Sequence, residues 1–130
     1  MLPGVQHWLT QLKADGWQQA IVTSAPRLNV EAILTAIDLT AIVDAIVCAE
    51  DVTRGKPDPQ PFELAAARLG VPPDRCIVIE DAPAGLEGAR RAGMKSIGVL
   101  TTHSSLQADC VVKSLADLPS GAFDALLRAA

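Results

Sequence analysis

Aromatic residues are scarce in this sequence, which has no tyrosine and only two tryptophans and two phenylalanines. Hydrophobic residues still make up 49% of the 130 residues, so a core would have to be built from aliphatic side chains. A chain of this length can bury such a core as one domain. We therefore expect residues 1–130 to form a single domain.

The sequence also lacks a cluster of basic residues, and its formal net charge is −4. An acidic chain without a basic stripe does not favour nucleic acid as a partner, so we expect none. No stretch reaches the ~20 apolar residues that a membrane-spanning helix needs, and no charged leader precedes an apolar run. We therefore expect a protein that is neither exported nor embedded in a membrane.

The three cysteines show none of the spacings that are typical of metal ligands. Cys48, Cys76 and Cys110 lie in or beside apolar runs, without a Cys-x-x-Cys pair or a histidine at ligand spacing. An odd number of such cysteines is typical of reduced core residues. This pattern favours a cytoplasmic location, because disulfides persist mainly in oxidising compartments.

Apolar runs alternate with glycine and proline along most of the sequence. The spacing predicts helices over 5–12, 27–37, 61–69, 83–92 and 122–129, and strands over 17–22, 42–48, 76–79, 94–100 and 109–112. In the second helix we expect Val30, Ile33, Leu34 and Ile37 to face the core. The repeated helix–strand order predicts an α/β fold with a parallel sheet that helices cover on both faces.

Two adjacent carboxylates, Glu80 and Asp81, end the apolar run that begins at Cys76. The carboxyl ends of strands are where open α/β sheets bind their ligands. Neighbouring carboxylates are unfavourable unless a cation neutralises them, and their oxygens suit a hard divalent ion. The structural alternative is that Asp81 caps the following helix and that Glu80 is a solvated charge.

A pair of hydroxyl residues, Thr23 and Ser24, ends another apolar run in the same way. Lys56 lies in a loop without periodicity, where Gly55 and Pro57 limit the freedom of its backbone. A fixed ammonium suits a phosphoryl group. The simpler interpretations are that the hydroxyls cap the next helix and that the lysine faces solvent.

The carboxyl ends of parallel strands meet at one edge of a sheet, so these polar residues are expected to converge. A hydroxyl donor and a cation around a phosphoryl group, opposite a carboxylate-bound Mg²⁺, are the groups that phosphoryl transfer uses.

On these motifs the sequence resembles the haloacid dehalogenase superfamily, in particular its β-phosphoglucomutase-like and phosphoglycolate-phosphatase-like hydrolases. Residues 21–24 resemble motif II and residues 55–59 resemble motif III. Residues 79–81 resemble motif IV, together with the residues that follow it, Gly85, Ala89, Ala92 and Gly93. The resemblance implies a Rossmann-like αβα fold of three layers, and an Mg²⁺-dependent phosphatase or phosphomutase that acts on a small phosphorylated metabolite. It also implies that Thr23 or Ser24 binds the phosphoryl oxygens, that Lys56 offsets charge on nucleophile and phosphate, and that Glu80 and Asp81 hold Mg²⁺.

Motif I of that family, an Asp-x-Asp-Gly-Thr run, has no match, because no aspartate of this sequence begins an Asp-x-Asp. In the family its first aspartate is the covalent nucleophile and its second is the general acid/base. The sequence therefore resembles the C-terminal part of a longer family member, without the first, central strand and the cap domain.

The resemblance places that missing strand between the strands that carry motifs II and IV. We therefore expect a gap beside residues 21–22 and 77–79, because buried strand edges are not left unpaired. Direct pairing of the two strands could close it, as could a partner chain in a homo-oligomer or a complementing fragment.

Three functions remain open at this point. The chain is an enzyme whose site is present only in part, a non-catalytic module that binds phosphate and Mg²⁺ or associates with another protein, or a truncated product without a function of its own.

Overall fold

The computed structural model describes residues 3–128, and its elements follow the order that the sequence pattern predicts. The helices are α1 (Val5–Ala14), α2 (Arg27–Ala36), α3 (Gln60–Leu69), α4 (Pro83–Arg91) and α5 (Ala122–Arg128). The strands are β1 (Ala20–Val22), β2 (Ala45–Val47), β3 (Ile77–Glu80), β4 (Lys95–Val99) and β5 (Cys110–Val112). None of the helices in the described range is long and apolar enough to cross a membrane. The expected end of the last helix, at residue 129, lies outside the described residues.

The first two strands are shorter than their apolar runs, because the residues before them make other contacts. The backbone N–H of Gln19 donates to the carboxylate of Asp44 (2.8 Å), and the Gln19 side chain donates to the Leu9 carbonyl (2.9 Å). These bonds join the ends of the two runs to each other and to α1 before the parallel ladder begins.

Every strand pair is parallel, but the strands form two sheets instead of one. β1 pairs with β2, aligning Ile21 with Ile46, and β4 lies between β3 and β5. Within residues 3–128 no pairing joins β1 to β3. Direct pairing, one of the three expected ways to close the gap, is therefore wrong.

Helices α1 and α3 join the two sheets into one three-layer arrangement. Phe62 of α3 packs in one cluster with Val22 of β1 and Val78 of β3. The preceding residues of the two strands, Ile21 and Ile77, belong to clusters that contain side chains of α1. Because successive strand residues point to opposite faces, α3 and α1 span both sheets from opposite sides. Their side chains pack against both sheets and connect them across the gap.

The buried face predicted for α2 is only partly correct. Val30 and Leu34 of α2 are buried, but Ile33 is 59% exposed and Ile37 is 39% exposed. The sheet beneath α2 has only two strands of three residues each, so it covers a narrow stripe of the helix.

Asp51 connects α2, α3 and the end of β2. Its carboxylate accepts hydrogen bonds from Arg27 (2.6 Å), from Arg68 (3.1 Å) and from the backbone N–H of Cys48 (2.7 Å). These contacts lower the pKa of Asp51 from 3.8 to about 2, and the hydrogen bond from Arg68 has the largest effect. The carboxylate therefore stays charged at neutral pH and anchors both helices.

The three cysteines are free, as expected for reduced residues, and they differ in burial. Cys48 is fully buried, whereas Cys76 and Cys110 are half-buried. Burial is the main cause that raises the pKa of the Cys48 and Cys76 thiols, so both favour the protonated, unreactive form.

Candidate functional site

Lys56 contacts the carboxyl ends of both β1 and β3. Its ammonium donates to the backbone oxygen of Val22 (3.3 Å) and to Oε2 of Glu80 (2.8 Å), which forms an ion pair. The Nζ atom also lies 5.4 Å from the centre of the Phe62 ring, within the range of a cation–π contact. Only 18% of the lysine side chain is exposed, so it is not a solvent-facing loop residue.

Hydrogen bonds within the loop hold Lys56 in place. The N–H of Asp58 donates to the Gly55 carbonyl (2.9 Å), and Oδ1 of Asp58 accepts the N–H of Gln60 (2.9 Å). The Gln60 side chain in turn accepts the N–H groups of Thr53 (2.9 Å) and Arg54 (2.8 Å). The first turn of α3 therefore orders the loop on both sides of the lysine.

Thr23 and Ser24 follow Val22 directly and so lie beside the lysine contact. The N–H of Thr23 continues the ladder to Val47 (2.9 Å), and its Oγ1 accepts the N–H of Ala25 (3.1 Å). That hydroxyl can still donate its own proton. Ser24 is exposed. The capping alternative is wrong, because Pro26 occupies the N-cap position of α2 and the first N–H of the helix, that of Arg27, donates to the carboxylate of Glu50 (3.0 Å).

Glu80 is a half-buried counter-ion to Lys56 and not a solvated charge, since only 13% of its side chain is exposed. Its side chain lies against the backbone of α4 at Gly85. A Cβ atom at Gly85 would overlap the Cγ, Cδ and Oε2 atoms of Glu80. A second glycine of the same helix, Gly88, makes a similar close approach to the Phe62 ring (2.9 Å to an ideal Cβ). Glycines on α4 thus make room for two of the groups that contact the lysine, Glu80 and the Phe62 ring.

Asp81 is exposed at the same edge and contacts the end of β4. Its Oδ2 accepts a hydrogen bond from the hydroxyl of Thr101 (3.0 Å). The expected capping role is wrong, because Ala82 is the N-cap residue of α4 and no side chain caps that helix. The strand-end carboxylate is therefore oriented by a neighbouring strand and not by its own helix.

Glu80 and Asp81 could supply some of the ligands of a metal ion, but not all of them. Among residues 3–128 there is no group of three or more His, Cys, Asp or Glu side chains that could hold a metal. Glu80 is paired with Lys56, whereas Asp81 forms no ion pair with another described residue and accepts a hydrogen bond from Thr101. Mg²⁺ often keeps several waters and uses one or two carboxylates with substrate phosphate, so these two residues fit an incomplete site.

A cavity of about 500 Å³ separates the β1 edge from the β3 edge and reaches the site at Glu80. Both strand edges line it, together with apolar side chains of the helices above and below. The lining from α1, α3 and α5 includes Leu9, Leu12, Phe62, Ala65, Ala66 and Phe123.

The structure brings together the strand ends that the sequence predicted, and it adds two residues that the sequence analysis missed. Phe62 contacts the predicted lysine, and Thr101 contacts Asp81. The rule that strand ends converge could have identified Thr101, because it follows the end of β4. The sequence carries no signal for Phe62, because its contact depends on how α3 packs. Gly85, which belongs to the motif IV resemblance, makes room for Glu80.

Comparison with known proteins identifies relatives of the chain. A family model described as haloacid dehalogenase-like hydrolase matches residues 1–99. The validoxylamine A 7'-phosphate phosphatase of Streptomyces hygroscopicus subsp. limoneus is 39% identical over 118 residues, which are 88% of this chain and 55% of that protein. The beta-phosphoglucomutase of Bacillus subtilis (strain 168) is 38% identical over 118 residues, 91% of this chain and 51% of that protein.

A solved structure is also similar to the chain. CbbY from Rhodobacter sphaeroides, in complex with phosphate, has a TM-score of 0.87 at 31% identity, and the match covers 95% of this chain and 58% of that one. The chain therefore spans only a little more than half the length of these relatives.

Proposed function

The chain belongs to the haloacid dehalogenase-like hydrolase family, and on that basis we propose that it carries the phosphate-binding part of a phosphohydrolase site. The main support is the ammonium of Lys56, which contacts Val22 at the end of β1 and Glu80 at the end of β3. A fixed cation between two strand ends, with the Thr23 hydroxyl next to it, can receive a phosphoryl group with little rearrangement.

We propose a small phosphorylated metabolite as the substrate, in line with the phosphatase and phosphoglucomutase among the relatives. Thr23 or Ser24 donates a hydrogen bond to a phosphoryl oxygen, and Lys56 offsets the negative charge. Glu80 holds the lysine in position, because the ion pair and the Gly85 contact leave its side chain little freedom.

Mg²⁺ is the cofactor in this proposal. Asp81 holds it together with Glu80, and the Thr101 hydroxyl orients the Asp81 carboxylate. The remaining oxygen ligands come from water, from the phosphate and from outside the chain. When bound, the ion neutralises charge on the phosphoryl oxygens.

The chain binds and orients phosphate in this proposal but does not supply the nucleophile, since its sequence has no Asp-x-Asp. Loss of the nucleophile removes the covalent route while the positioning groups remain. We therefore propose that the nucleophile comes from outside residues 1–130 and that these residues alone do not turn over. The free cysteines support a reducing, cytoplasmic compartment for this assembly.

The second candidate function is a non-catalytic module that binds phosphate or associates with another protein. The separation of β1 from β3 favours association with another protein, because it leaves two strand edges without partners within the described residues.

Calorimetric titration of inorganic phosphate into the chain, in the presence of Mg²⁺, tests the site. The variants are Lys56→Ala and, as a matched control, Lys13→Ala, whose lysine is exposed on α1. We expect Lys56→Ala to weaken binding at least about tenfold, because charge-assisted hydrogen bonds contribute ~1.5–3 kcal/mol. Unchanged phosphate binding in Lys56→Ala would contradict the proposal.

Mg²⁺-dependent hydrolysis of an aryl phosphate tests the missing nucleophile. We expect no turnover by the chain alone. Turnover that disappears in both Lys56→Ala and Asp81→Ala would show that a residue of this chain replaces the nucleophile, and the part of the proposal that places the nucleophile outside residues 1–130 would be wrong.

A further inference from the structure

We propose that Asp51 is a positioning residue of the phosphate site, because its carboxylate fixes residues 23–26, the hydroxyl segment, relative to Lys56. The inference rests on the proposed function and deepens it, since it names the residue that sets the distance between the two halves of that site. It depends on which groups each oxygen of the carboxylate binds and on the parts of the chain that those groups hold.

The hydroxyl segment is bonded at alternate residues to the chain that follows β2. The N–H of Thr23 donates to the Val47 carbonyl (2.9 Å), and the carbonyl of Ala25 accepts the N–H of Ala49 (3.1 Å). These two bonds continue the parallel ladder beyond the ends of β1 and β2. The position of the Thr23 hydroxyl therefore depends on the stretch of chain that leads to Asp51.

Two consecutive carboxylates of that stretch hold Arg27, the first residue of α2. Its backbone N–H donates to Glu50 (3.0 Å), and its guanidinium donates to Oδ2 of Asp51 (2.6 Å). The same Oδ2 accepts the backbone N–H of Cys48 (2.7 Å), which orients the carboxylate. These contacts fix the end of the hydroxyl segment, three residues after Ser24.

The other oxygen of Asp51 connects the carboxylate to α3. Its Oδ1 accepts a hydrogen bond from the guanidinium of Arg68 (3.1 Å). The same helix carries Phe62, whose ring centre lies 5.4 Å from the Lys56 ammonium. Its first residue, Gln60, accepts two backbone N–H groups of the loop before the lysine. The helix that Asp51 holds through Arg68 is therefore the helix that positions the lysine.

The carboxylate of Asp51 can couple the two halves because it is charged and confined. Only 15% of its side chain is exposed. The hydrogen bonds from Arg68 and from the Cys48 N–H lower its pKa to about 2, so it is charged at neutral pH. With both oxygens engaged, it cannot move towards α2 without losing Arg68, or towards α3 without losing Arg27. A phosphoryl group therefore meets hydroxyl and ammonium groups whose spacing is already set, which reduces the ordering that binding requires.

The alternative is that Asp51 only stabilises the fold, and Asp44 provides the comparison. The carboxylate of Asp44 also accepts a backbone N–H, that of Gln19 (2.8 Å), and also pairs with a basic side chain, that of Lys13 (3.6 Å). Asp44 precedes β2, however, and so lies at the opposite end of this strand from the phosphate site. A purely structural role predicts similar behaviour for the two carboxylates.

Calorimetric titration of inorganic phosphate in the presence of Mg²⁺ compares Asp51→Asn with Asp44→Asn. We expect Asp51→Asn to weaken phosphate binding at least about fivefold, because the hydroxyl segment must then be ordered when phosphate binds. Asp44→Asn should leave binding within about twofold. Thermal unfolding of both variants separates loss of affinity from loss of stability.

Arg68→Ala tests whether the effect passes through α3. Arg68 contacts Asp51 and the Ile46 carbonyl, and it does not contact the hydroxyl segment or Lys56. We expect Arg68→Ala to weaken phosphate binding at least about threefold and to have no further effect in the Asp51→Asn background. This variant also tests the proposal if Asp51→Asn does not fold.

Amide exchange of the free chain provides a measurement that does not need phosphate. Asp51→Asn should speed exchange at the N–H groups of Arg27 and Ala49 at least about tenfold, because both belong to the contacts between the hydroxyl segment and the chain after β2. Asp44→Asn should leave exchange at these two groups unchanged. Ile97, buried in β4, is the reference for global unfolding in both variants.

Three results would overturn the proposal. The first is an equal effect of Asp51→Asn and Asp44→Asn on exchange at Arg27 and Ala49. The second is a loss of phosphate affinity in Asp51→Asn without faster exchange, which would mean that the carboxylate acts through its charge alone. The third is an additive effect of Arg68→Ala and Asp51→Asn. If the unsubstituted chain does not bind phosphate, the proposed function fails, and exchange alone then decides whether Asp51 holds the hydroxyl segment.

Discussion

Gly85→Ala tests whether the Glu80 side chain occupies the position against α4 that its ion pair with Lys56 requires. An alanine Cβ would overlap three atoms of the Glu80 side chain. Glu80 cannot simply rotate away, because its Oε2 lies 2.8 Å from the lysine Nζ and only 13% of the side chain is exposed. The substitution therefore either displaces the backbone of α4 or breaks the ion pair between Glu80 and Lys56.

Two opposite effects set the expected magnitude. Loss of the charge-assisted hydrogen bond between Glu80 and Lys56 lowers the free energy of unfolding by ~1.5–3 kcal/mol. Alanine is favoured over glycine in a helix by ~0.5–1 kcal/mol, which acts in the other direction. We expect a net loss of about 1–2 kcal/mol for Gly85→Ala, or a fall in Tm of roughly 3–10 °C.

A double-mutant cycle with Glu80→Ala isolates the contact. Without the glutamate side chain, the three atoms nearest to the Cβ of Gly85→Ala are gone, so the same substitution should stabilise the protein by up to ~1 kcal/mol. Denaturant unfolding of the unsubstituted protein, the two single variants and the double variant measures the effect of Gly85→Ala on the free energy of unfolding. We expect this effect to change sign when Glu80 is replaced. Ala84→Gly, on the exposed first turn of the same helix, measures the helix-propensity effect alone.

The reasoning is refuted if Gly85→Ala changes stability by the same amount in both backgrounds. A gain in both would mean that Glu80 does not lie against α4. An equal loss in both would mean that the added methyl group clashes with something other than Glu80.

Two further substitutions test the fold around the site. Asp51 has a pKa of about 2 in the folded chain, below its ordinary 3.8, mainly because Arg68 donates a hydrogen bond to it. The charged carboxylate therefore stabilises the fold fully above pH ~4, and this contribution disappears as the pH falls towards 2. The stability of Asp51→Asn, measured by thermal unfolding from pH 2 to 6, should therefore depend less on pH, and an unchanged dependence would contradict the assignment. Gly4 and Gly16 both have positive φ (84° and 86°), but only at Gly4 would a Cβ overlap a neighbour, the backbone of Ala116. Gly4→Ala should lower stability by at least about 1 kcal/mol more than Gly16→Ala, and equal losses would mean that backbone strain alone is responsible.

The part of the site that could be predicted is local in the sequence. An apolar run that ends at Glu80 and Asp81, followed by Pro83, predicts a strand, an acidic turn and a helix, and the structure has all three. The same holds for Thr23, which follows an apolar run and lies at the end of β1. Parallel strands bring such ends to one edge, so convergence follows from topology.

The roles that depend on packing could not be predicted in this way. Asp81 satisfies both the rule for a helix cap and the rule for a strand-end ligand, and the hydroxyl of Thr101, twenty residues later, orients it instead of the helix. Ile33 fits the apolar spacing of α2, yet the narrow sheet beneath does not reach it. In each case a local rule fits the sequence, and contacts with distant residues decide whether it applies.

By itself, the sequence determined the order of helices and strands, the resemblance to the family and the residues that reach the sheet edge. These depend on hydrophobic spacing and on residues within a few positions of each other. Only the tertiary structure decided that Lys56 pairs with Glu80 and that β1 stays apart from β3. Both depend on how closely α1, α3 and α4 pack on the strands, and close packing between distant residues leaves no periodic signal in a sequence.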